Sequence, residues 1–274
     1  GQFMPSAKEI LSFRRKIYGY YKKNRRSFPW RDTHDPYNIL VSEIMLQQTQ
    51  VERVNGKYQE FIAAFPDFSS LARARLNAVL RVWSGLGYNR RAISLVKLAK
   101  TVVAEQDGSL PKDVDKLVAL PGIGKATAGS LAAFAFNLPS VFAETNIRRV
   151  FIHFFFKDSK DVHDRDVLRL VEATLDKTNP REWYYALMDY GAMLKRGMPN
   201  PNRRSAHYKK QPPFEDSDRK IRGEILRVLL AGKPLSAIKI AGTLQERPER
   251  VGRILEQLQS EGFVNEGGRG YYVP

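Results

Sequence analysis

The chain of 274 residues contains no cysteine. That removes disulfide scaffolding, a thiol nucleophile and any thiolate-held metal or iron–sulfur centre from the available chemistry. Histidine is almost as scarce. The four present, His34, His153, His163 and His207, do not stand at ligand spacing, so no catalytic metal is expected. Acidic residues number only 29 against 45 Lys and Arg, for a net charge of +16. Long apolar runs are missing as well: residues 131–143 are nearly apolar but are interrupted by Asn137 and Pro139, well short of the ~20 residues of a bilayer helix. Residues 1–6 show no apolar signal segment. Gly1-Gln2-Phe3 reads as a cloning remnant before Met4, no membrane partner is expected, and the expected location is cytoplasmic and nucleoid-associated.

What remains is ordinary globular composition, 43% hydrophobic and 27% charged, in a length that suits one large or two unequal domains. A soluble protein this basic most often meets a polyanion, with nucleic acid the commonest. A solvated lysine-rich surface is the plainer alternative. Up to about residue 190 the pattern is helical. Residues 39–65 place Ile44, Leu46, Val51, Val54, Tyr58, Phe61 and Ile62 at helical spacing behind Ser42, a cap-type residue. Residues 69–83 and 92–104 repeat the pattern, stopped by Gly85-Leu86-Gly87 and by Asp107-Gly108. Phe154-Phe155-Phe156 is expected on a buried helix face.

Residues 194–210 differ in kind, with six basic residues, no acid and three Gly or Pro breakers. They read as a loop lying on a polyanion or as a flexible basic tether. Residues 216–274 read as three helices and a terminal hairpin, a winged-helix-like order that serves DNA binding and partner binding alike. Ten basic and eight acidic residues leave this segment +2, so +14 belongs to residues 1–215.

The most informative short string is Leu120-Pro121-Gly122-Ile123-Gly124-Lys125, between helical runs at 113–120 and 126–136. Two helices joined by Gly-x-Gly form a helix-hairpin-helix. Its glycines let the backbone approach a phosphate at the second helix's N-terminus, and Lys125 adds charge there. A Gly-stopped helix followed by another is the plainer reading.

Together with Phe28-Pro29-Trp30-Arg31, the run from Val41 through Ser42-Glu43-Ile44-Met45-Leu46-Gln47-Gln48-Thr49-Gln50 to Val51, and Trp83-Ser84-Gly85-Leu86-Gly87-Tyr88, this string resembles the helix-hairpin-helix (HhH-GPD) DNA glycosylases. Asn146-Ile147-Arg148-Arg149-Val150 and Ala186-Leu187-Met188-Asp189-Tyr190-Gly191-Ala192-Met193 extend the likeness, which lies with the MutY family of adenine-DNA glycosylases and covers roughly residues 8–195. The implied fold is all-α and two-lobed, followed by the small winged-helix-like domain. Residues 1–213 would form the glycosylase domain (a six-helix lobe at about 28–137, the second lobe from 1–27 and 138–213) and residues 216–274 the terminal one. The implied activity is flipping of a base from mispaired or damaged double-stranded DNA, by a monomer, and hydrolysis of its N-glycosidic bond. Adenine is the favoured base. A thymine or uracil opposite guanine, hypoxanthine or a damaged purine are the alternatives, as is a DNA lesion- or structure-binding protein without catalysis.

The resemblance also assigns roles. Glu43 would protonate the departing purine, since the base leaves as an anion otherwise; a helix-dipole glutamate is the plain reading of the same residue. Arg26, Trp30, Arg31 and Leu46 match the base pocket, with a plain core residue the equal reading of Trp30, and Gln48, Thr49, Leu86 and Tyr88, with Gly122, Ile123, Gly124 and Lys125, face DNA. Five departures stand out. The second family carboxylate, an Asp, is Glu144 here, and a methylene moves a carboxylate ~1.5 Å where a ~1 Å misplacement can cost ~100-fold; the plainer reading has Glu144 merely preceding an Asn146 cap. Ala126 occupies the position of the lyase subtype's lysine nucleophile, so no strand-cleaving step is expected, and it also lacks the hydroxyl of MutY relatives. Tyr185 stands where relatives have a polar pocket residue. Lys195 and a basic loop with Arg203 and Arg204 replace the relatives' four cluster cysteines, so no iron–sulfur cluster or other cofactor is expected and plain charge would supply the loop's phosphate contacts. The 59-residue terminal segment does not resemble the relatives' domain that reads oxidised guanine.

Overall fold

The computed structural model describes residues 3–197 and 199–274. Gly1 and Gln2 of the expected cloning remnant and Met198 of the basic loop lie outside the described residues. The chain opens with α1 (Ala7–Asn24), where Ser6 Oγ accepts from the Glu9 N–H while the Glu9 carboxylate accepts from the Ser6 N–H, a capping box that fixes the first turn. A short 3-10 turn, Pro29–Arg31, leads to α2 (Pro36–Leu46), α3 (Val51–Ala64), α4 (Phe68–Arg73), α5 (Leu76–Trp83) and α6 (Arg90–Glu105). Next come α7 (Val114–Val118), α8 (Lys125–Phe136), α9 (Thr145–Phe155), α10 (Asp164–Thr174) and α11 (Pro180–Gly197). The rest is α12 (Asp218–Leu230), α13 (Ala237–Leu244), α14 (Pro248–Ser260) and an antiparallel hairpin of β1 (Asn265–Gly267) and β2 (Gly270–Tyr272).

Two expected helices are each divided. The 39–65 pattern breaks between α2 and α3, where Gln48 takes a φ of 57°. The 69–83 pattern breaks at Ala74 and Arg75, both extended. Apolar periodicity survives both interruptions because each pair of helices keeps its apolar face inward. Ser42 is also no cap. It lies buried inside α2, and its hydroxyl donates to the Ile39 carbonyl, the local bond that satisfies a serine in a helix interior.

The chain forms two compact units. The first holds residues 1–43, 111–119 and 123–210. Its aromatic core gathers Phe151, Phe154, Phe155 and Trp183 edge-on around Phe13. Phe154, Phe155 and Phe156 are half-buried, so the expected buried face is carried instead by Phe151 and Ile152. Helices α9 and α11 meet backbone to backbone: a Cβ on Gly191 would stand 2.3 Å from the Asn146 carbonyl oxygen. The basic segment 194–210 is not a free tether. α11 runs through its first residues, and Val162 pairs with Arg204 and Ala206 through backbone hydrogen bonds of 2.8 and 2.9 Å.

The second unit holds residues 44–110, 120–122 and 211–274. Its helices close over Trp83, Phe61 and Leu71. The terminal hairpin gains a third backbone partner in Leu235, which exchanges two hydrogen bonds with Tyr271. The same unit joins this segment to α5 and α6 through Asn77 N–H donating to the Pro274 carbonyl and an ion pair of Arg90 with Glu261.

Candidate active site

The titratable cluster of the first unit begins on α2. Glu43 lies near its C-terminal end, between the buried Ser42 and Ile44. Ser130 on α8 meets it: Ser130 Oγ is 2.7 Å from Glu43 Oε2 and 2.9 Å from the Thr127 carbonyl. Burial pushes the Glu43 carboxyl up to about 7, with the charge of Glu144 adding to the rise, while Ser130 and the Arg31 guanidinium work against it. A carboxyl poised there is divided between its two forms near neutral pH, so it can hold a proton and give it up, as a general acid must.

Glu144 caps α9. Its Oε1 accepts from the Ile147 N–H at 2.6 Å, and Oε2 lies 3.3 Å from Asn146 Nδ2. The expected order is thus reversed, since Glu144 is the cap and Asn146 a donor to it. Burial raises the affinity of Glu144 for a proton, opposed by the backbone N–H groups of Ile147 and Asn146 and by Arg149 and Arg148. Arg149, buried, donates to Asn200 Oδ1, Asn146 Oδ1 and the Gly191 carbonyl, which fixes the residues around the cap.

Arg26 and Arg31 are committed differently from the expected base contacts. Arg31 donates Nη1 and Nη2 to Asp189 at 3.0 and 2.8 Å, and Arg26 adds its backbone N–H and Nε at 2.9 and 2.6 Å. Asp189 is 1% exposed. Burial opposes its ionisation, yet the two guanidiniums hold its carboxyl below the usual range. The Arg31 guanidinium also lies over the Tyr185 ring at 4.5 Å, and that ring stacks on Phe134. Burial and the neighbouring Glu43 drive the Tyr185 hydroxyl well above its ordinary value, so it stays a neutral donor. Trp30 is buried and stacks on Phe28 at 4.9 Å. Leu46 is half-buried, and Ala126 is exposed on the first turn of α8, one residue past the exposed Lys125.

The residues expected to face DNA fall into three places. In the hairpin, Gly122 takes a φ of +75°, and a Cβ there would stand 2.7 Å from Ser94 Cβ, so only glycine fits. Gly124 starts α8 without a side-chain cap, and Ile123 is buried under the turn. In the second unit, Gln48 and Tyr88 both have left-handed backbones, φ 57° and 46°, a conformation that costs a non-glycine residue about 1 kcal/mol. Thr49 Oγ1 bonds the Leu86 carbonyl, with Leu86 buried. In the basic loop, Arg203 is exposed, but Arg204 spends its guanidinium on the carbonyls of Phe156, Lys157 and Ile152 at the end of α9.

Three residues escaped the sequence reading. Ser130 is a lone serine in an apolar helix. Asp189 lies inside a quoted motif without an assigned role. Arg91 binds both left-handed loops together, donating to the carbonyls of Ile44, Met45, Gln47, Leu86 and Gly87 and to Thr49 Oγ1. Burial lowers its guanidinium to about 10, and a cation at the end of α2 is favourably placed toward the helix dipole. Its sequence signal was nil, because Asn89-Arg90-Arg91 looks like any solvated basic stretch.

Among the described residues no group of His, Asp and Glu could hold a metal ion. A cluster held by four thiolates finds no ligands in a chain without cysteine. Nor is any described helix long and apolar enough to cross a membrane.

Comparison with known proteins extends these observations. The family model of the HhH-GPD superfamily base excision DNA repair proteins matches residues 41–178. The adenine DNA glycosylase of Mycolicibacterium smegmatis is 32% identical over 280 residues, covering 94% of each chain. That of Buchnera aphidicola subsp. Baizongia pistaciae is 37% identical over 179 residues, 64% of this chain and 50% of the relative, so this chain's match spans half the relative's length. The solved structure of a thermostable thymine-DNA glycosylase superposes with a TM-score of 0.65 at 27% identity, over 71% of this chain and 91% of that one. A hairpin that only glycine can turn, a protonatable Glu43 and a match of this extent lead to one assignment: the chain belongs to the HhH-GPD superfamily of base excision DNA repair proteins, on its MutY-like branch.

Proposed function

We propose that the protein is a monofunctional DNA glycosylase of base-excision repair that removes adenine from a mispair. The observation that carries this is the Glu43 carboxyl, pushed up to about 7 beside the second carboxylate of Glu144. The reaction follows from those two groups. Glu43 gives its proton to a ring nitrogen of the flipped purine as the glycosidic C–N bond breaks and the bonding pair leaves with the base. The sugar becomes oxocarbenium-like, and the Glu144 carboxylate offsets its charge. Water adds to the anomeric carbon and its proton restores Glu43, leaving an abasic site. Trp30, Ala126 and Tyr185 would line the base, while Arg26 and Arg31 hold the pocket wall through Asp189.

Ala126 offers no amine for a Schiff base, which supports hydrolysis without a lyase step. Double-stranded DNA would be met by Gly122 to Lys125 at one strand, by Gln48, Thr49, Leu86 and Tyr88 at the gap, and by Arg203 on the basic loop, in a monomer without an iron–sulfur cluster. We take residues 1–213 as the glycosylase domain and 216–274 as a winged-helix-like accessory to it, acting in the cytoplasm on the nucleoid. The 27% identity with a structure named as a thymine-DNA glycosylase favours a second reading, removal of thymine opposite guanine.

Duplexes carrying A opposite 8-oxoguanine, A:G, T:G, U:G and hypoxanthine, treated with alkali after incubation, test both. Cleavage of the adenine duplexes, without a covalent adduct on borohydride treatment, is the expected result. Cleavage of T:G alone would transfer the assignment to thymine, and binding without any cleavage would remove the enzyme altogether.

A further inference from the structure

Ser130 faces Glu43 from the helix that carries Ala126, one turn further along the same face. Its hydroxyl touches two acceptors, Glu43 Oε2 at 2.7 Å and the Thr127 carbonyl at 2.9 Å. A hydroxyl has one proton and two lone pairs, so this geometry accommodates both forms of the glutamate. When Glu43 is ionised, Ser130 donates to Oε2. When Glu43 is protonated on Oε2, it donates to Ser130 Oγ, and the Ser130 proton turns to the Thr127 carbonyl. The carboxyl therefore keeps one orientation through a cycle of proton loss and return. The bond to the ionised form is the stronger, being charge-assisted.

We propose that Ser130 is a positioning residue that holds Glu43 Oε2 in both protonation states and sets the pH at which the acid is spent. This rests on the general-acid reading of Glu43 given above. The other groups facing Glu43 are Glu144 at the cap of α9, Arg31 of the 3-10 turn and Tyr185 on α11. Arg31 is already paired with Asp189, Glu144 makes ionisation harder, and Tyr185 stays neutral. Ser130 is thus the hydrogen bond that favours the carboxylate directly. Its removal leaves burial opposed only by a guanidinium shared with Asp189. It also gives the hydroxyl missing at Ala126 a counterpart one turn deeper, placed on the acid rather than at the helix start.

The test is a carbon-13 titration of the glutamate carboxyls in the full chain, with Glu43 identified as the signal lost in Glu43→Gln. The Glu43 midpoint should rise in Ser130→Ala by a roughly tenfold change in proton affinity, as expected for a lost hydrogen bond to a charged group, and return in Ser130→Thr. In glycosylase assays across pH the basic limb should move upward in step, with kcat on the acid plateau falling several-fold while KM holds. An unmoved midpoint and limb in Ser130→Ala would overturn the proposal. Shifting midpoints in a protein that cleaves none of the duplexes would leave the pairing standing and reject the glycosylase reading alone.

Discussion

Two carboxylates of the first unit teach opposite lessons. Asp189 has four hydrogen bonds from two arginines and is held ionised. Glu43 has one hydroxyl and a second acid as its neighbours, and its proton affinity rises. Asp189 is buried and Glu43 half-buried, and what separates them further is how much positive charge the fold spends on each. A carboxylate saturated with donors becomes a structural clamp. One left short of donors becomes a reagent. Arg31 marks the boundary: its hydrogen bonds go to Asp189 and the Arg26 carbonyl, and only its longer-range field reaches Glu43.

The contrast can be broken from its structural side. Asp189→Asn leaves the buried Arg31 without its counter-charge, and the expected loss is about 3–5 kcal/mol, read as a fall in the denaturant midpoint. Glu43→Gln should do the reverse, costing ~10²–10⁴-fold in turnover while folding at least as stably as the parent. If it melted like Asp189→Asn, the distinction between clamp and reagent would collapse.

The pH dependence sharpens the comparison because the two acids carry opposite signs. Asp189 is depressed in the folded state, so its contribution is present above the unfolded value, about 3.9, and disappears as pH falls through the folded one. The gap between parent and Asp189→Asn should therefore be widest near neutrality and shrink in acid. Glu43 is raised from 4.5 to about 7, so its contribution is complete below 4.5 and is lost as pH rises through about 7. The parent should lose roughly 2 kcal/mol relative to Glu43→Gln between pH ~5 and ~8, measured by denaturation at each pH. The smallest effect belongs to Arg26→Ala, whose guanidinium is a partly exposed second donor to Asp189. About 1 kcal/mol is expected, with turnover nearly unchanged. A large catalytic loss there would mean that Arg26 meets the substrate itself.

The helical character and the hairpin were readable because glycines and apolar spacing act locally. Leu120 to Lys125 announces its own turn, and the helices at 113–120 and 126–136 need only short-range bonds. The break at Gln47–Gln50 was not readable, since nothing in Gln-Gln-Thr-Gln forbids a helix. It is imposed by Arg91, more than forty residues on, which claims the carbonyls at the end of α2. The site divides in the same way. Glu43 and Glu144 came from motif position, but that Glu144 rather than Asn146 caps α9 depends on backbone geometry that spacing alone does not resolve. Ser130 looked like a small residue tolerated in an apolar helix until the fold set it against an acid 87 positions away in sequence.

The contact at Gly191 has a dynamic consequence. With the backbones of α9 and α11 in direct touch and Arg149 bonded to the Gly191 carbonyl, neither helix can fray near Asn146 without disturbing the other. The two therefore belong to one cooperative opening unit, whose lifetime is that of the core rather than of a surface loop. Glu144, at the head of α9, inherits that persistence, and its carboxylate is held in place by a helix that rarely lets go.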